Sequence, residues 1–215
     1  MKIITITHSK GGVGKSLTAY QLIGKAHHEK ANYVAIDCDS DNRTISTIND
    51  FIRKENKLNI KVATTAEAVE KIINENQDKD IIIIDTGGNS NSITQKAMQL
   101  ASKIITPISN DSITEAVGFT RFKSLLSHIG NPLINIMFTN VNSRTKNFTD
   151  MTNIVKTYPN INFMDYGLKT RAIYKQITAL GLSVAEMKKI NNRLFNKNLS
   201  IAQKELSLLY EEILK

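Results

Sequence analysis

The chain has 215 residues, of which 41% are hydrophobic, and a formal net charge of +8. This length allows one sizeable core, and no Pro/Gly/Ser-rich linker divides the sequence, so we expect a single domain over residues 1–215. The single cysteine, Cys38, excludes a disulfide framework and a cysteine-rich metal site, and it favours a reducing cytoplasm. No apolar run reaches the roughly 18 residues of a membrane span, so we expect a soluble protein.

The first predicted strand, near residues 2–7, leads into a glycine-rich loop over Lys10–Ser16. The three glycines of this loop allow a tight turn that directs backbone N–H groups at phosphate oxygens. Lys15 can reach the β- and γ-phosphates of a nucleotide, and the Ser16 hydroxyl can ligate Mg²⁺. The segment predicts a nucleoside triphosphate site, with a chance glycine-rich turn as the alternative.

The second predicted strand, near residues 33–37, ends in the sequence Asp37-Cys38-Asp39. Acidic residues at the end of a strand can belong to a catalytic site, but they also form turns and helix caps. Both interpretations remain open for this segment. A third strand is predicted near residues 58–63.

The fourth predicted strand, near residues 80–85, contains four consecutive isoleucines, Ile81–Ile84. Such a continuous apolar run is typical of a central strand that is buried on both faces of a sheet. Asp85 follows at the carboxyl end of the strand, where the Walker B acid of phosphate-loop enzymes holds Mg²⁺. Gly87 and Gly88 then allow the following loop to move.

Two further strands are predicted near residues 103–108 and 133–139, and segments with helical spacing separate the strands, as in Phe119, Phe122 and Leu125. This alternation predicts an α/β fold with a mostly parallel central sheet and helices on both faces. Ligands of such sheets bind at the carboxyl ends of the strands. All three motifs fall at that edge.

Taken together, the motifs resemble the ParA/MinD class of ATPases, P-loop NTPases whose deviant Walker A loop reads K-G-G-x-G-K-[ST]. Arg171–Glu186 is similar to the R-x-x-Y…G-x-S-V-x-E segment of that class, and the resemblance covers nearly the whole chain. Its closest form is the short plasmid-partition type without an N-terminal helix-turn-helix domain. The chain departs from the common pattern at Ser40-Asp41, at Gly87-Gly88 and at Leu17, which replaces a second hydroxyl residue.

The resemblance implies a role for each site residue. Lys10 would touch the ATP of the partner subunit in an ATP-dependent homodimer, Lys15 would neutralise phosphoryl charge, and Asp39 would orient the attacking water. The nucleotide contacts implied are Lys10, Gly11, Gly12, Val13, Gly14, Lys15, Ser16, Leu17 and, at the adenine, Asn140. The Mg²⁺ residues implied are Ser16, Asp37, Asp39 and Asp85.

Positive charge is concentrated between Lys169 and Lys204, where eight cations face the single acid Glu186. A helix is predicted over Ser183–Asn196, with an apolar face at Val184, Met187, Ile190 and Leu194. A solvated basic surface is the ordinary interpretation of such a charge run. Because ParA-type dimers bind DNA without sequence preference, the resemblance instead implies phosphate contacts. The residues predicted to make them are Lys169, Arg171, Lys188, Lys189, Arg193 and Lys197.

The function implied is a slow, partner-stimulated, Mg²⁺-dependent ATPase that acts in DNA, in particular plasmid, partition. It would be cytoplasmic and nucleoid-associated, with a small centromere-binding protein as partner and no contact with membranes. A positioning ATPase for a non-DNA cargo, a MinD-like membrane switch and a metabolic ligase are the alternatives. A membrane switch needs a basic amphipathic C-terminal helix, whereas the acidic segment Ile201–Lys215 predicts a packed closing helix.

Overall fold

The computed structural model of the protein describes residues 1–88, 91–109, 113–139 and 149–215. Within these ranges the strands are β1 (Lys2–Ile6), β2 (Tyr33–Cys38), β3 (Ile60–Val62), β4 (Ile81–Thr86), β5 (Lys103–Ser109), β6 (Ile134–Thr139) and β7 (Ile161–Phe163). They form one sheet in the order β3-β2-β4-β1-β5-β6-β7, and every pairing is parallel.

The helices alternate with the strands along the described chain. They are α1 (Lys15–His28), α2 (Thr44–Phe51), α3 (Ala66–Glu75), α4 (Ser92–Gln99), α5 (Ile113–His128), α6 (Thr149–Val155), α7 (Ala172–Ala179) and α8 (Arg193–Ile213).

Successive residues of the central strands point to opposite faces of the sheet, as the pleat requires. Ile4 and Ile83 pack in a cluster with residues of α1, α7 and α8. Their neighbours Ile3 and Ile82 pack in a second cluster with α3 and α4, and α5 and α6 cover the β5 and β6 end of the sheet. The predicted parallel sheet with helices on both faces is therefore confirmed.

Five of the six predicted strands match to within one residue at each end, and β3 is shorter than predicted. The strand β7 was not predicted, because its three residues at the sheet edge are exposed or half-buried and form no apolar run. The prediction that the segment Ile201–Lys215 forms a packed closing helix is confirmed. The last two-thirds of α8 pack against the core through Ala202, Leu206, Leu209, Tyr210 and Ile213.

The predicted helix over Ser183–Asn196 is wrong. Residues 183–192 lie outside any helix, and α8 begins only at Arg193. The Asn192 side chain caps α8, because it accepts a hydrogen bond from the Phe195 N–H at 2.9 Å. This asparagine marks the observed start of α8, which the apolar spacing alone does not show.

The apolar face predicted for that helix is divided in the structure. The carbonyl oxygens of Val184 and Met187 accept hydrogen bonds from the Gln203 side chain, at 2.9 and 3.1 Å, instead of from a following helical turn. Val184 is buried, but Ile190 is 47% exposed and Leu194 is 69% exposed. The apolar spacing therefore predicts burial correctly at Val184 and wrongly at Ile190 and Leu194.

We call residues 181–187 the anchor segment, because side chains of α1 hold it in place. The Gln21 Oε1 atom accepts a hydrogen bond from the Val184 N–H at 2.9 Å, and the Tyr20 hydroxyl donates to the Gly181 carbonyl at 2.6 Å. A Cβ atom added at Gly24 would lie only 2.4 Å from the Ser183 Cβ, so glycine is needed for this close approach. The anchor segment is thus fixed on the helix that follows the phosphate loop.

A buried ion pair fixes the other side of the anchor segment. Arg53 contacts both carboxylate oxygens of Glu186, at 2.8 and 2.9 Å, and also donates to the Gly181 carbonyl at 2.9 Å. Both charged side chains are nearly inaccessible to water. The glycine and glutamate of the G-x-S-V-x-E pattern therefore have structural partners in this chain.

Candidate nucleotide site

The three sequence motifs meet at the carboxyl edge of the sheet. Asp85 on β4 lies opposite Ile6 at the end of β1 and opposite Asp37 at the end of β2. The loop Lys10–Ser16 begins a few residues after β1 ends. Parallel pairing thus brings the loop and both acidic strand ends to one place.

The loop itself is shaped by glycine. Gly12 and Gly14 have φ angles of 79° and 96°, in the left-handed region where glycine is favoured. The Val13 side chain is buried, and its carbonyl accepts a hydrogen bond from the Thr139 hydroxyl at 2.7 Å. Thr139 was missed in the sequence, although it immediately precedes the predicted base contact.

The first turn of α1 is built to receive an anion. Gly14 is its N-cap, no side chain among the described residues caps the helix, and the first turn contains no acid. The N–H groups at such a helix start are oriented toward the loop, and the helix dipole favours negative charge there. Lys15 adds a buried ammonium group, whose Nζ atom donates to the Lys10 carbonyl at 2.8 Å. Phosphate oxygens would compete for this ammonium.

Asp85 is completely buried, and neither of its carboxylate oxygens has a hydrogen-bond partner in the described part of the chain. Burial raises its pKa to about 8, although the nearby Ser16 hydroxyl and the Lys15 ammonium act in the opposite direction. A buried carboxylate without a partner is costly, and such groups concentrate at functional sites. A cation beside Ser16 would relieve this cost.

A protein-only metal cage is absent from the described residues, since they contain no cluster of three or more metal-binding His, Cys, Asp or Glu side chains. Mg²⁺ does not require one, because it keeps several waters and takes substrate phosphate oxygens as ligands. The Ser16 hydroxyl and Asp85 suit this mode of binding. The pair therefore fits a magnesium–nucleotide complex.

Asp37 has hydrogen-bond partners that could not be predicted from the sequence. Its Oδ2 atom accepts hydrogen bonds from the Ser46 N–H at 3.0 Å and the Ser46 hydroxyl at 2.7 Å, and its Oδ1 atom accepts from the Asp39 N–H at 3.1 Å. These contacts hold the start of α2 against the strand end. Asp37 is engaged as a cap, so its place in the metal shell remains a prediction.

Asp39 also forms a turn, because its Oδ1 atom accepts from the N–H groups of Asp41 at 3.2 Å and Asn42 at 3.1 Å. The same carboxylate faces the loop after β4. A Cβ atom added at Gly87 would lie 3.1 Å from Asp39 Oδ1, and one at Gly88 would lie 3.5 Å from the Gly11 nitrogen. The absence of a side chain at Gly87 thus lets this residue approach the acid closely, whereas Gly88 lies at ordinary contact distance from the phosphate loop.

The remaining predicted nucleotide contacts divide into two groups. Leu17 lies on α1 and packs partly against the core, which leaves only its backbone for a nucleotide. Asn140, the predicted adenine contact, lies outside the described residues.

Cys38 lies between the two acids at the end of β2, and it is 2% exposed. Burial raises the pKa of its thiol well above the usual range, and Asp85 and Asp37 add to this effect. The thiol therefore stays protonated at neutral pH.

Most of the predicted DNA contacts are exposed cations. Lys169, Lys188, Lys189, Arg193 and Lys197 are all exposed, and no ion pair joins them to an acid within the described ranges. We call these five residues the basic surface. Because residues 188 and 189 precede α8, a single helical face does not carry them all.

Arg171 differs from the other predicted DNA contacts. Its guanidinium makes a bidentate ion pair with Glu205, with nitrogen–oxygen distances of 2.6 and 2.9 Å. This pair joins the start of α7 to α8. We therefore leave Arg171 out of the basic surface.

None of the helices that the structure describes is long and apolar enough to cross a membrane.

Comparison with known proteins supports the same fold. Residues 4–179 match the family model described as the CobQ/CobB/MinD/ParA nucleotide binding domain. A protein named ParA from Rhizobium radiobacter is 25% identical over 118 residues, which cover 55% of this chain and 53% of that protein. The match thus spans about half the length of this relative.

Two solved structures are similar over nearly their whole lengths. One, described as a plasmid partition protein from Borrelia burgdorferi B31 bound to AMPPNP, has a TM-score of 0.67 at 17% identity and covers 99% of this chain and 98% of its own. MinD from Aquifex aeolicus has a TM-score of 0.70 at 17% identity, with 99% and 97% covered. At 17% identity, these structural similarities support the fold alone. With the family match over most of its length, the chain belongs to the CobQ/CobB/MinD/ParA nucleotide-binding domain family.

Proposed function

We propose that the protein is a Mg²⁺-dependent ATPase that dimerises when it binds ATP and then binds DNA without sequence preference. The observation that carries the proposal is the buried Asp85 carboxylate beside Ser16 and the phosphate loop, whose oxygens lack a hydrogen-bond partner of normal geometry in the described parts of the chain. A site with this composition suits a phosphate chain and its divalent cation. The nucleotide named with the Borrelia relative, AMPPNP, is an ATP analogue and supports the same choice.

In the proposed mechanism, the backbone of the loop and the first turn of α1 hold the β- and γ-phosphates. Lys15 exchanges the Lys10 carbonyl for phosphate oxygens, while Ser16 and Asp85 would hold Mg²⁺, which would supply charge neutralisation. Asp39 accepts a hydrogen bond from the attacking water and thereby orients it. Lys10 extends to the nucleotide of the partner subunit.

The basic surface supplies the DNA contacts in this proposal. Its cations are suited to phosphates, which carry no sequence information. Hydrolysis would separate the dimer and halve the number of contacts, so that ATP acts as a switch for DNA binding. In the cell, DNA partition is the process that we propose, with a small centromere-binding protein as the accelerating partner.

The test separates nucleotide binding from hydrolysis. We expect Lys15→Ala to abolish ATP binding, because it removes the cation that faces the β- and γ-phosphates. Asp39→Ala should bind ATP and dimerise but turn over at least about a hundredfold more slowly, within the usual range for a positioned catalytic group. Fluorescent-nucleotide titration, light scattering and phosphate release measure the three steps.

Asp50→Ala serves as the control, because Asp50 is an exposed acid that pairs with Lys57 away from the site. Normal turnover by Asp39→Ala would place the water-orienting role on another residue. Absence of any ATP binding by the unmodified protein would refute the proposed function itself.

A further inference from the structure

Three consecutive residues fasten the entrance of the phosphate loop to α5. The His8 ring stacks on Phe122, with centroids 5.3 Å apart and planes 20° apart. The Ser9 hydroxyl donates to the Gly118 carbonyl at 2.7 Å. A Cβ atom added at Gly118 would lie 3.0 Å from the Lys10 Cβ, so the lysine side chain passes directly over this glycine. The first residues of the loop are thus held by a helix that does not itself carry the predicted nucleotide contacts.

The backbone of Lys10 is held on both sides. Its N–H donates to His8 Nδ1 at 2.9 Å, and its carbonyl accepts from Lys15 Nζ at 2.8 Å. Nucleotide phosphates would draw Lys15 away from this carbonyl. The hydrogen bond that the Lys10 N–H donates to His8 does not depend on Lys15 and would be kept.

The state of the His8 ring supports a role as acceptor. The side chain is 1% exposed, and burial lowers its pKa to about 3, with a further contribution from the charges of Lys15 and Lys10. The ring is therefore neutral, and because Nδ1 accepts a hydrogen bond, the proton lies on Nε2. Nε2 has no hydrogen-bond partner among the described residues.

A buried donor without a partner lowers stability. An apolar side chain at this position would pack against Phe119 and Phe122 without that cost. The presence of an imidazole is explained if its other nitrogen, Nδ1, is needed as an acceptor for the Lys10 amide.

We propose that His8 is a positioning residue for the ATP-dependent step. By accepting the Lys10 N–H, it fixes the backbone from which the Lys10 side chain reaches the nucleotide of a second copy of this chain. This inference rests on the proposed function, in which Lys10 acts across the dimer.

The experiment compares His8→Leu, which lacks an acceptor, with His8→Asn, whose Oδ1 atom is attached at the same branch point as Nδ1. Phe122→Leu is the control for packing, since Phe122 touches the His8 ring without a hydrogen bond to the loop. Each variant is measured for ATP affinity, for ATP-induced dimerisation by light scattering, for turnover and for thermal unfolding.

We expect His8→Leu to bind ATP within about twofold of the parent but to lose about tenfold in dimer affinity and turnover, as for one lost hydrogen bond in the active arrangement. Its melting temperature should be equal to or above that of the parent, which a merely structural histidine would not produce. His8→Asn should recover most of the turnover, and Phe122→Leu should keep it despite lower stability.

Parental turnover by His8→Leu, or equal loss in His8→Asn, would overturn the inference while the proposed function stands. If the unmodified protein neither dimerises nor hydrolyses ATP, the proposed function fails first and the inference fails with it.

Discussion

At the scale of single residues, Asp85 shows how a group at a binding site can lower the stability of the folded protein. The carboxylate is fully buried and has no partner in the described structure, and its pKa is raised to about 8. A carboxyl group with a raised folded pKa contributes stability below its unfolded pKa and loses that contribution as pH rises through the folded value. Asp85 therefore destabilises the ligand-free protein most at alkaline pH.

We predict that Asp85→Asn stabilises the ligand-free protein by about 1–3 kcal/mol at pH 8, since it replaces a buried unpaired charge by a neutral group of the same shape. The gain should be smaller at pH 5, because this pH lies only about one unit above the pKa of an unfolded aspartate and less of the destabilisation has accumulated there. Thermal unfolding at both pH values measures it, at roughly 2–4 °C per kcal/mol for a chain of this size. An equal shift at pH 5 and pH 8 would contradict the assignment, and Asp50→Asn provides an exposed control.

Single residues also mark where sequence interpretation reached its limit. The loop glycines and Asp85 lie where their motifs predicted, because their chemistry depends on the local chain. The alternatives for Asp37 and Asp39 could not be separated in the sequence. Only the fold brings Ser46 to Asp37 and Gly87 to Asp39, so one acid acts as a cap and the other faces the loop after β4.

At the scale of elements, α1 links the nucleotide loop to the basic part of the chain. Lys15 begins the helix, and Gly24, nine residues and therefore about 13 Å along it, contacts the anchor segment. The basic surface continues directly from the anchor segment at Lys188. Hence α1 and the anchor segment packed on it connect the proposed phosphate site to the part of the basic surface that begins at Lys188.

We predict that Gly24→Ala destabilises the protein, although helix propensity alone would favour alanine by up to about 1 kcal/mol. The added Cβ would lie 2.4 Å from the Ser183 Cβ, and such overpacking costs about 1–3 kcal/mol. We expect a net loss of about 1–2 kcal/mol in urea unfolding. The double variant Gly24→Ala/Ser183→Gly should recover part of it, whereas parental stability of Gly24→Ala would show that the contact is not tight.

The misplaced helix at residues 183–196 has a related cause. Its apolar spacing is real, but Val184 packs on α1 from an irregular segment, and the side chain of Gln203 takes the place of a helical turn. Periodicity detects which residues are buried but not which neighbour buries them. Long-range hydrogen bonds of this kind are invisible in a single sequence.

At the scale of the whole molecule, the fold followed from the sequence more fully than the surface did. Alternation of apolar runs and helical spacing predicted the parallel sheet, because burial on both faces leaves a strong pattern in β1, β2 and β4. The count of charged residues predicted the surface less well. The region from Lys169 to Lys204 holds a surplus of seven positive charges out of a net eight, yet Arg171 and Glu186 within it are taken up by structural ion pairs.

We predict that replacing Lys189, Arg193 and Lys197 together by Gln weakens DNA retention without changing ATP affinity. Each lost phosphate contact should lower the slope of log affinity against log salt by about 0.9 on duplex DNA. The measurement is retention on two unrelated DNA sequences across a salt series, with ADP and with ATP.

The matched control replaces three exposed lysines elsewhere, Lys30, Lys54 and Lys71, and gives the same change in net charge. If this control weakens retention equally, the effect is one of net charge alone. Equal retention of the unmodified protein in ADP and ATP would argue against a nucleotide-controlled DNA switch.

Because of its position, Cys38 can serve as an internal probe for local opening of the nucleotide edge of the sheet. It is the only thiol of the chain, it lies between the two acids at the end of β2, and burial keeps it protonated and out of reach of reagents. A disulfide reagent can modify it only in molecules whose strand end has opened, so the labelling rate counts local openings of the nucleotide edge. Any nucleotide that closes this edge will lengthen the lifetime of the free thiol, which allows ligands to be ranked on the unmodified protein without an added probe.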